Sequence, residues 1–471
     1  MKVETLLNCA MSAFKQKFLE VCPEGPLPDL NPDSFARLVH IFKESFSACG
    51  TTALKAYLES CDEKVDVLAS SFGKVRFKMD SPKEFLTPFG WVSVARRLYQ
   101  TDAGDISFVP LDEKWDMRGE SLTPVVREAI HFISGHNTPQ VAEVLLSKCA
   151  LFTPSRTAIL HANERFGTVW KQHGEAIVAK VREKETVSRK THAVVVSLDG
   201  VNVLMNEKGK RRGRKRRRPS ENPSEETATS YQNAMVGSVS AYRRPEKEKD
   251  EEGPQRIFSR YVARMPQEEF PDFKAALEAE VTAAFSKLPA RCRKMVIVDG
   301  SRALWNHVNA NPLYNRCMKV VDFWHATEYL AKAAEAAYGE ETYDGQGWFR
   351  KWKEALLKEK GGAKRAIRAM EYLLKSRDLR GKRRTDLLSA RRFFQNNLKR
   401  MNYAYFHSRN LPVGSGVVEA ACKSVVKARM CLSGMRWTKA GGETILSIRT
   451  VIKSNRWDDC WREYQAVRLA A

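Results

Sequence analysis

Val194-Val195-Val196-Ser197-Leu198-Asp199-Gly200 and, further on, Met295-Val296-Ile297-Val298-Asp299-Gly300 are two short apolar runs that close on the same Asp-Gly pair. Runs of branched aliphatic residues bounded in this way read as buried strands. A single Asp-Gly after a strand is ordinarily a turn. Two identical endings are joined here by Pro412-Val413-Gly414-Ser415-Gly416-Val417-Val418-Glu419, which opens like a helix. The pattern predicts two aspartates at strand ends and a glutamate on a later helix, the parts of a two-metal carboxylate site.

The chemistry explains the residue types. Phosphodiester transfer is an in-line displacement that builds charge on the attacking and leaving oxygens. Two divalent ions roughly 3.5–4 Å apart stabilise both. Mg²⁺ (or Mn²⁺) prefers carboxylate and water oxygens, so Asp199, Asp299 and Glu419 are the expected ligands of two ions. Gly414-Ser415-Gly416 predicts backbone passing close to something, either the sheet or a phosphate at the helix start. His325, in Asp322-Phe323-Trp324-His325, lies one turn from Asp322. It reads either as a proton donor or phosphate ligand at the metal site, or as a buried, satisfied histidine behind a helix cap.

Composition narrows the partner. Lys plus Arg number 79 against 56 for Asp plus Glu, a formal charge of +23, which suits a polyanion. The run from Lys208 to Arg218 carries nine basic side chains in eleven residues and cannot be core. It emerges from the strand holding Asp199, so Lys210, Arg211, Arg212, Arg214, Lys215, Arg216, Arg217 and Arg218 are expected to contact DNA phosphates. A solvated loop is the other reading. Ten cysteines are scattered with no Cys-x-x-Cys pair, which suggests reduced thiols. No apolar run approaches 18 residues and the N-terminus is not a signal peptide, so the expectation is a cytoplasmic protein with no membrane contact.

At 471 residues, two or three domains are expected. Residues 1–64 read as helical, with Phe35, Leu38, Val39, Phe42 and Phe46 at three- and four-residue steps. Residues 65–120 alternate as a small β element. Residues 121–190 read as helical again. Thr138-Pro139 and Thr153-Pro154 predict two capped helices, about 139–148 and 154–166, with the spacing of a DNA-binding helix-turn-helix, in which Arg156 and His161 on the second helix are available to contact DNA. An ordinary helical hairpin gives the same pattern. From 191 onward the order is three strands, a helix, a strand, a helix and a strand, with a basic helical stretch at about 326–410 before Glu419. That is the order of an α/β RNase H-like catalytic domain with a helical insertion, preceded by a mainly helical region containing a small β element.

With these residues assembled, the chain resembles bacterial insertion-sequence DDE transposases, most closely the ISKra-type group. The most specific stretch is residues 409–423 around Pro412 to Glu419, followed by Arg429-Met430 and Ser433-Gly434-Met435-Arg436-Trp437. The Ser-Leu-Asp-Gly at Asp199, the Val-Asp-Gly at Asp299 and the Asp322-x-x-His325 pair fit the same family and its Mutator-like relatives. The likeness spans roughly residues 50–460. It implies that Asp199, Asp299 and Glu419 bind the catalytic metals. It further implies that the enzyme, a homo-oligomer on double-stranded DNA, cleaves transposon ends and joins the 3′-hydroxyl to target DNA. The family often carries a zinc-ribbon-like element, but Thr101 and Gly104 stand where its cysteines would be, so zinc is not expected. Packing among Phe72, Phe77, Phe85, Phe89, Trp91, Tyr99 and Phe108 is expected to replace it. Two rivals are an RNase H-like nuclease that stops after hydrolysis and a domesticated DNA-binding protein without catalysis.

Overall fold

The computed structural model describes residues 1–22, 31–62, 64–70, 73–206, 231–245 and 253–470. The chain forms two compact units, residues 1–177 with 458–471, and residues 178–457. Among the described residues no helix is long and apolar enough to cross a membrane.

The first unit opens with α1 (Val3–Val21) and α2 (Pro32–Ser60), the latter started by a reciprocal cap between Asn31 and Ser34. Strands β1 (Val67–Ser70), β2 (Gly73–Asp80), β5 (Arg97–Thr101) and β6 (Ser107–Phe108) form one antiparallel sheet, and β3 (Lys83–Thr87) pairs with β4 (Gly90–Val94) in a hairpin. Phe85, Val94, Tyr99 and Leu111 are buried at its centre. Trp91 departs from the sequence expectation: it is 54% exposed. Phe72 lies outside the described residues.

Helices α3 (Pro110–Lys114), α4 (Pro124–His136), α5 (Pro139–Cys149) and α6 (Arg156–Lys184) follow. Thr138 caps α5 by accepting the Val141 N–H at 3.2 Å. The second expected cap is displaced. Ser155, not Thr153, accepts an amide of α6, so Pro154 precedes the helix. α6 runs on through Gly167 and Gly174 to Lys184, far beyond a recognition-helix length. The last helix, α17 (Trp457–Ala470), also departs from expectation. From Asp458 onward it belongs to the first unit instead of the catalytic region. The reason is its apolar and basic face: Tyr464 stacks on Phe166 at 4.9 Å, Trp461 lies 5.8 Å from His131, and Arg468 donates to Asp116 at 2.9 Å.

The second unit is built on a five-stranded sheet. Its strands are β7 (Ala193–Leu204), β8 (Tyr231–Arg243), β9 (Gln255–Arg264), β10 (Arg293–Val298) and β11 (Met318–Val321), in the spatial order β11-β10-β7-β8-β9. β7, β10 and β11 are parallel, while β8 is antiparallel to both β7 and β9. The near-continuous apolar runs of β7 and β10 are what a strand covered on both faces requires. Helix α7 (Pro271–Ser286) contributes Phe273, Leu277 and Val281 to the core. It starts at Pro271, because Glu269 and Phe270 take positive φ. Helix α8 (Arg302–Ala310) connects β10 to β11.

Between β11 and the glutamate segment lie α9 (Phe323–Tyr338), α10 (Tyr343–Lys358), α11 (Gly362–Ser376), α12 (Gly381–Asn397) and α13 (Tyr403–His407). Leu356, Met370, Leu387 and Phe394 from these helices join the same core as the sheet, so the helical stretch is packed into the unit. The chain then forms α14 (Gly416–Ala421), a π-helical turn at Cys422–Lys427, α15 (Ala428–Met430) and α16 (Lys439–Lys453). At the unit's margin, Arg456 is 4% exposed and holds two carboxylates. It pairs in two-pronged fashion with Glu280 at 2.7 and 2.8 Å and with Glu185 at 2.6 and 2.8 Å.

Candidate active site

Because β7, β10 and β11 are parallel, their C-terminal ends open on one edge of the sheet, where ligand sites of such sheets form. Asp299 is the first residue after β10 and Asp322 the first after β11. Asp199 corrects the expectation of a strand end. β7 pairs with β10 only as far as Val196, but it stays paired with β8 to Leu204, so Asp199 lies inside the strand. The segment around Trp437 fixes the extension: its N–H donates to Leu204 O at 3.0 Å and its carbonyl accepts from Asn206 at 2.7 Å. Asp199 is thus exposed to the site on the side that β10 has vacated.

The acids are not equivalent. Asp322 is fully buried. Its Oδ1 accepts the Ser415 N–H at 2.9 Å and the Trp324 N–H at 3.3 Å. Its Oδ2 accepts from the His325 backbone N–H at 3.3 Å and from His325 Nδ1 at 2.8 Å. Burial works to raise its pKa, but the hydrogen bonds from His325 and Ser415 outweigh it and hold it below the usual range. His325 is pushed up to about 9, first by that hydrogen bond and then, against burial, by the Asp322 charge. It is therefore an imidazolium at neutral pH, with Nδ1 also 3.8 Å from Glu419 Oε1.

Asp299 is raised by burial, with further contributions from Asp199 and Asp322, although the Ser301 N–H donates to its Oδ1 at 2.8 Å. Glu419 is raised by burial and by Asp322, while Ser415 Oγ donates to Oε1 at 3.1 Å. Asp199 takes the Gly200 N–H at 2.7 Å and the Cys422 thiol at 3.3 Å. Burial and the Asp199 charge push that thiol up, so it remains a neutral donor. The raised Asp299 and Glu419 are carboxylates whose charge burial and neighbouring acids disfavour, and carboxylate oxygens are the donors a hard divalent cation prefers. Ligand atoms of Asp322, His325 and Glu419 also lie within 4.8 Å of one another. Asp322, however, has both oxygens fully engaged by donors, and a protonated imidazole cannot ligate. Asp199, Asp299 and Glu419 are the residues with coordination to offer.

Two glycines are explained by close approach. A Cβ on Gly414 would lie 2.9 Å from Trp324 Nε1 and 3.4 Å from Asp322 Oδ1, so the Gly-Ser-Gly backbone is pressed against the Asp322 turn. A Cβ on Gly300 would lie 2.2 Å from Phe393 Cε2 in α12, which packs an insertion helix directly behind Asp299. After Glu419, the π-helical turn leaves the Ser424 and Val425 carbonyls to Arg449 of α16, whose guanidinium donates to both.

The structure brings Asp199, Asp299, His325 and Glu419 to one edge of one unit. Arg156 is exposed at the start of α6 in the other, where its backbone N–H is held by Glu143 at 3.1 Å. Lys210, Arg211, Arg212, Arg214, Lys215, Arg216, Arg217 and Arg218 lie outside the described residues. The sequence reading treated Asp322 only as a partner of His325. Its signal was the third apolar strand ending in an acid, Lys319-Val320-Val321-Asp322.

No family model matches the chain, and no curated protein matches it. Among solved structures, one similar to it is the Drosophila P element transposase strand transfer complex. The likeness has 10% identity over 73% of this chain and 80% of that one, with a TM-score of 0.25.

Proposed function

We propose that the chain is a metal-dependent DNA transposase of the DDE class, with an RNase H-like catalytic domain, acting as a homo-oligomer on double-stranded DNA. Counted from β7, the sheet order 5-4-1-2-3 with an antiparallel second strand supports the RNase H-like reading. The observation that carries the function is the convergence of Asp199, Asp299 and Glu419, with raised pKa values at the last two, on one edge of that sheet.

Asp199, Asp299 and Glu419 would hold two Mg²⁺ ions, which when bound lower the pKa of an attacking water and stabilise the leaving oxygen. Asp322 keeps His325 charged, and Nε2, which has no partner among the described residues, can donate to a phosphate oxygen. Ser415 orients Glu419, and the Cys422 thiol orients Asp199. In the first step the water oxygen bonds to phosphorus and the bond to the 3′ oxygen breaks, that oxygen gaining a proton. In the second, the freed 3′-hydroxyl oxygen bonds to a target phosphorus and loses its proton to solvent, while the target strand's own bond from that phosphorus to its 3′ oxygen breaks and the departing oxygen takes up a proton. The basic run at 208–218 would add phosphate contacts.

The test is cleavage of end-containing DNA in Mg²⁺ by wild type and by Asp199→Asn, Asp299→Asn and Glu419→Gln, with a gel-shift control. Each variant is expected to lose cleavage and keep DNA binding. Wild-type cleavage by any one removes that residue from the site, and hydrolysis without strand joining favours a nuclease.

A further inference from the structure

A cavity of about 520 Å³ lies where β7 and β10 begin and β8 ends, the edge of the sheet opposite the carboxylates. Along β7, Ala193 and Asp199 are separated by about 20 Å at the usual rise per residue. Arg189, Lys190, Arg243, Arg244 and Arg291 line the cavity, and among the described residues no acidic one does. Among the described residues, Arg189, Lys190, Arg244 and Arg291 form no ion pair. Arg243 has a neutral partner, donating from Nε to Gln255 at 3.1 Å.

A second observation points to a ligand. Thr191 also lines the cavity, is 5% exposed, and its Oγ1 has no hydrogen-bond partner among the described residues. Buried hydroxyls are nearly always paired, so this one calls for an acceptor from outside the chain. His192 beside it sharpens the point. Its Nε2 lies 3.1 Å from the Arg409 carbonyl oxygen and 3.4 Å from Arg244 Nε. A carbonyl can only accept, so Nε2 carries a proton and offers Arg244 no lone pair. Burial, then Arg244 and Arg293, hold this imidazole below its ordinary pKa, which leaves it neutral and the cavity's charge with the arginines and lysine.

We propose that this cavity seats backbone phosphates of duplex DNA, at a contact separate from the cleavage site. The identity of the polyanion rests on the DNA reading above; the anion site itself rests on the cations and Thr191. The cations come from three chain segments, around 190, 244 and 291, which suits successive phosphates of a strand better than one small anion. Phosphate oxygens would accept from the guanidinium groups and from the Thr191 hydroxyl, with no carboxylate competing among the described residues.

The experiment is fluorescence anisotropy of a duplex without end sequences, over a salt series, for wild type and the quadruple variant R189Q/K190Q/R244Q/R291Q. The log–log salt slope is expected to fall by about 2–4, at about 0.9 per lost phosphate contact. R189K/R244K/R291K should keep the slope. T191V should keep the slope and lose affinity severalfold, since it removes a neutral donor. An unchanged slope in the quadruple variant overturns the proposal, and T191V binding like wild type overturns the built site in favour of a diffuse basic surface. Binding of inorganic pyrophosphate that depends on these residues, with the DNA slope unaffected, also overturns it. If the quadruple variant melts early, R244Q/R291Q gives the same reading with a fall of about 1.8. Asp299→Asn, run alongside, reports on the cleavage reading alone: it should keep the slope, so the two proposals fail separately.

Discussion

Asp322→Asn separates a scaffold from a metal ligand at the heart of the site. The substitution preserves volume but turns one oxygen into an NH₂ group facing two His325 donors. His325 should then titrate near 6.5 instead of about 9. At pH 7.5 its protonated fraction would fall from about 97% to about 10%. Since the folded pKa is the raised one, the histidine's contribution to stability is complete below about pH 6.5 and disappears as pH rises through about 9. The shift bounds that contribution at about 3.4 kcal/mol, and with the side chain 34% exposed, screening brings it to roughly 1 kcal/mol. Lost charge-assisted bonds to the buried carboxylate bring the total cost to about 2–3 kcal/mol, or roughly 4–12 °C in Tm. The assay is ¹³Cε1-histidine NMR of metal-free protein, with His325→Gln to identify the resonance, beside Mg²⁺ titration of cleavage. Titration of wild-type His325 near 6.5 would refute the pairing. So would cleavage by Asp322→Asn that is abolished at every Mg²⁺ concentration, as is expected of Asp299→Asn.

Gly300→Ala should cost about 1–3 kcal/mol and lower cleavage at least tenfold through the collision with Phe393, and Gly300→Ala/Phe393→Leu should recover much of both in melting and cleavage assays. Arg456→Met takes from Glu280, which is 4% exposed, its two-pronged partner and leaves it Arg182 at 3.8 Å, and should destabilise by about 3–5 kcal/mol in urea unfolding. Arg456→Met/Glu280→Leu should unfold later than the single variant, because the buried carboxylate that Arg456 held is then removed as well. Protein purified without chelator should contain no stoichiometric zinc by elemental analysis; about one zinc per chain would require ligands recruited from distant segments.

The sheet was legible because its central strands are short apolar runs with marked ends, and the signal that located Asp299 is present, unread, at Asp322 as well. Asp199-Gly200 misled because the same two residues that make a turn can also sit in a strand. What decides is whether a partner continues, and β8 does, to Leu204, while β10 stops. The length of α6 was hidden for a related reason: Pro154 looked like a helix start, and nothing local announces that a helix will run to Lys184. The return of α17 to the first unit depends on Arg468 meeting Asp116 and Tyr464 meeting Phe166, pairings between distant parts of the chain that no window of sequence contains. The Gly-Ser-Gly reading left sheet or phosphate open, and the backbone it admits belongs to neither, but to the turn at Asp322.

The Arg456–Glu185 pair has a consequence for how the chain comes together. The first unit is made of two pieces, and everything between them is the second unit. Joining ends across the stretch from Glu185 to Arg456 would cost about 5 kcal/mol in chain entropy if that stretch were loose. The pair binds its two ends directly, so once the second unit has formed it acts as a short staple instead of a long tether. The last helix then reaches its place by a short excursion. Folding of the second unit should therefore precede completion of the first, and damage at Arg456 should loosen the first unit as well as its own neighbourhood.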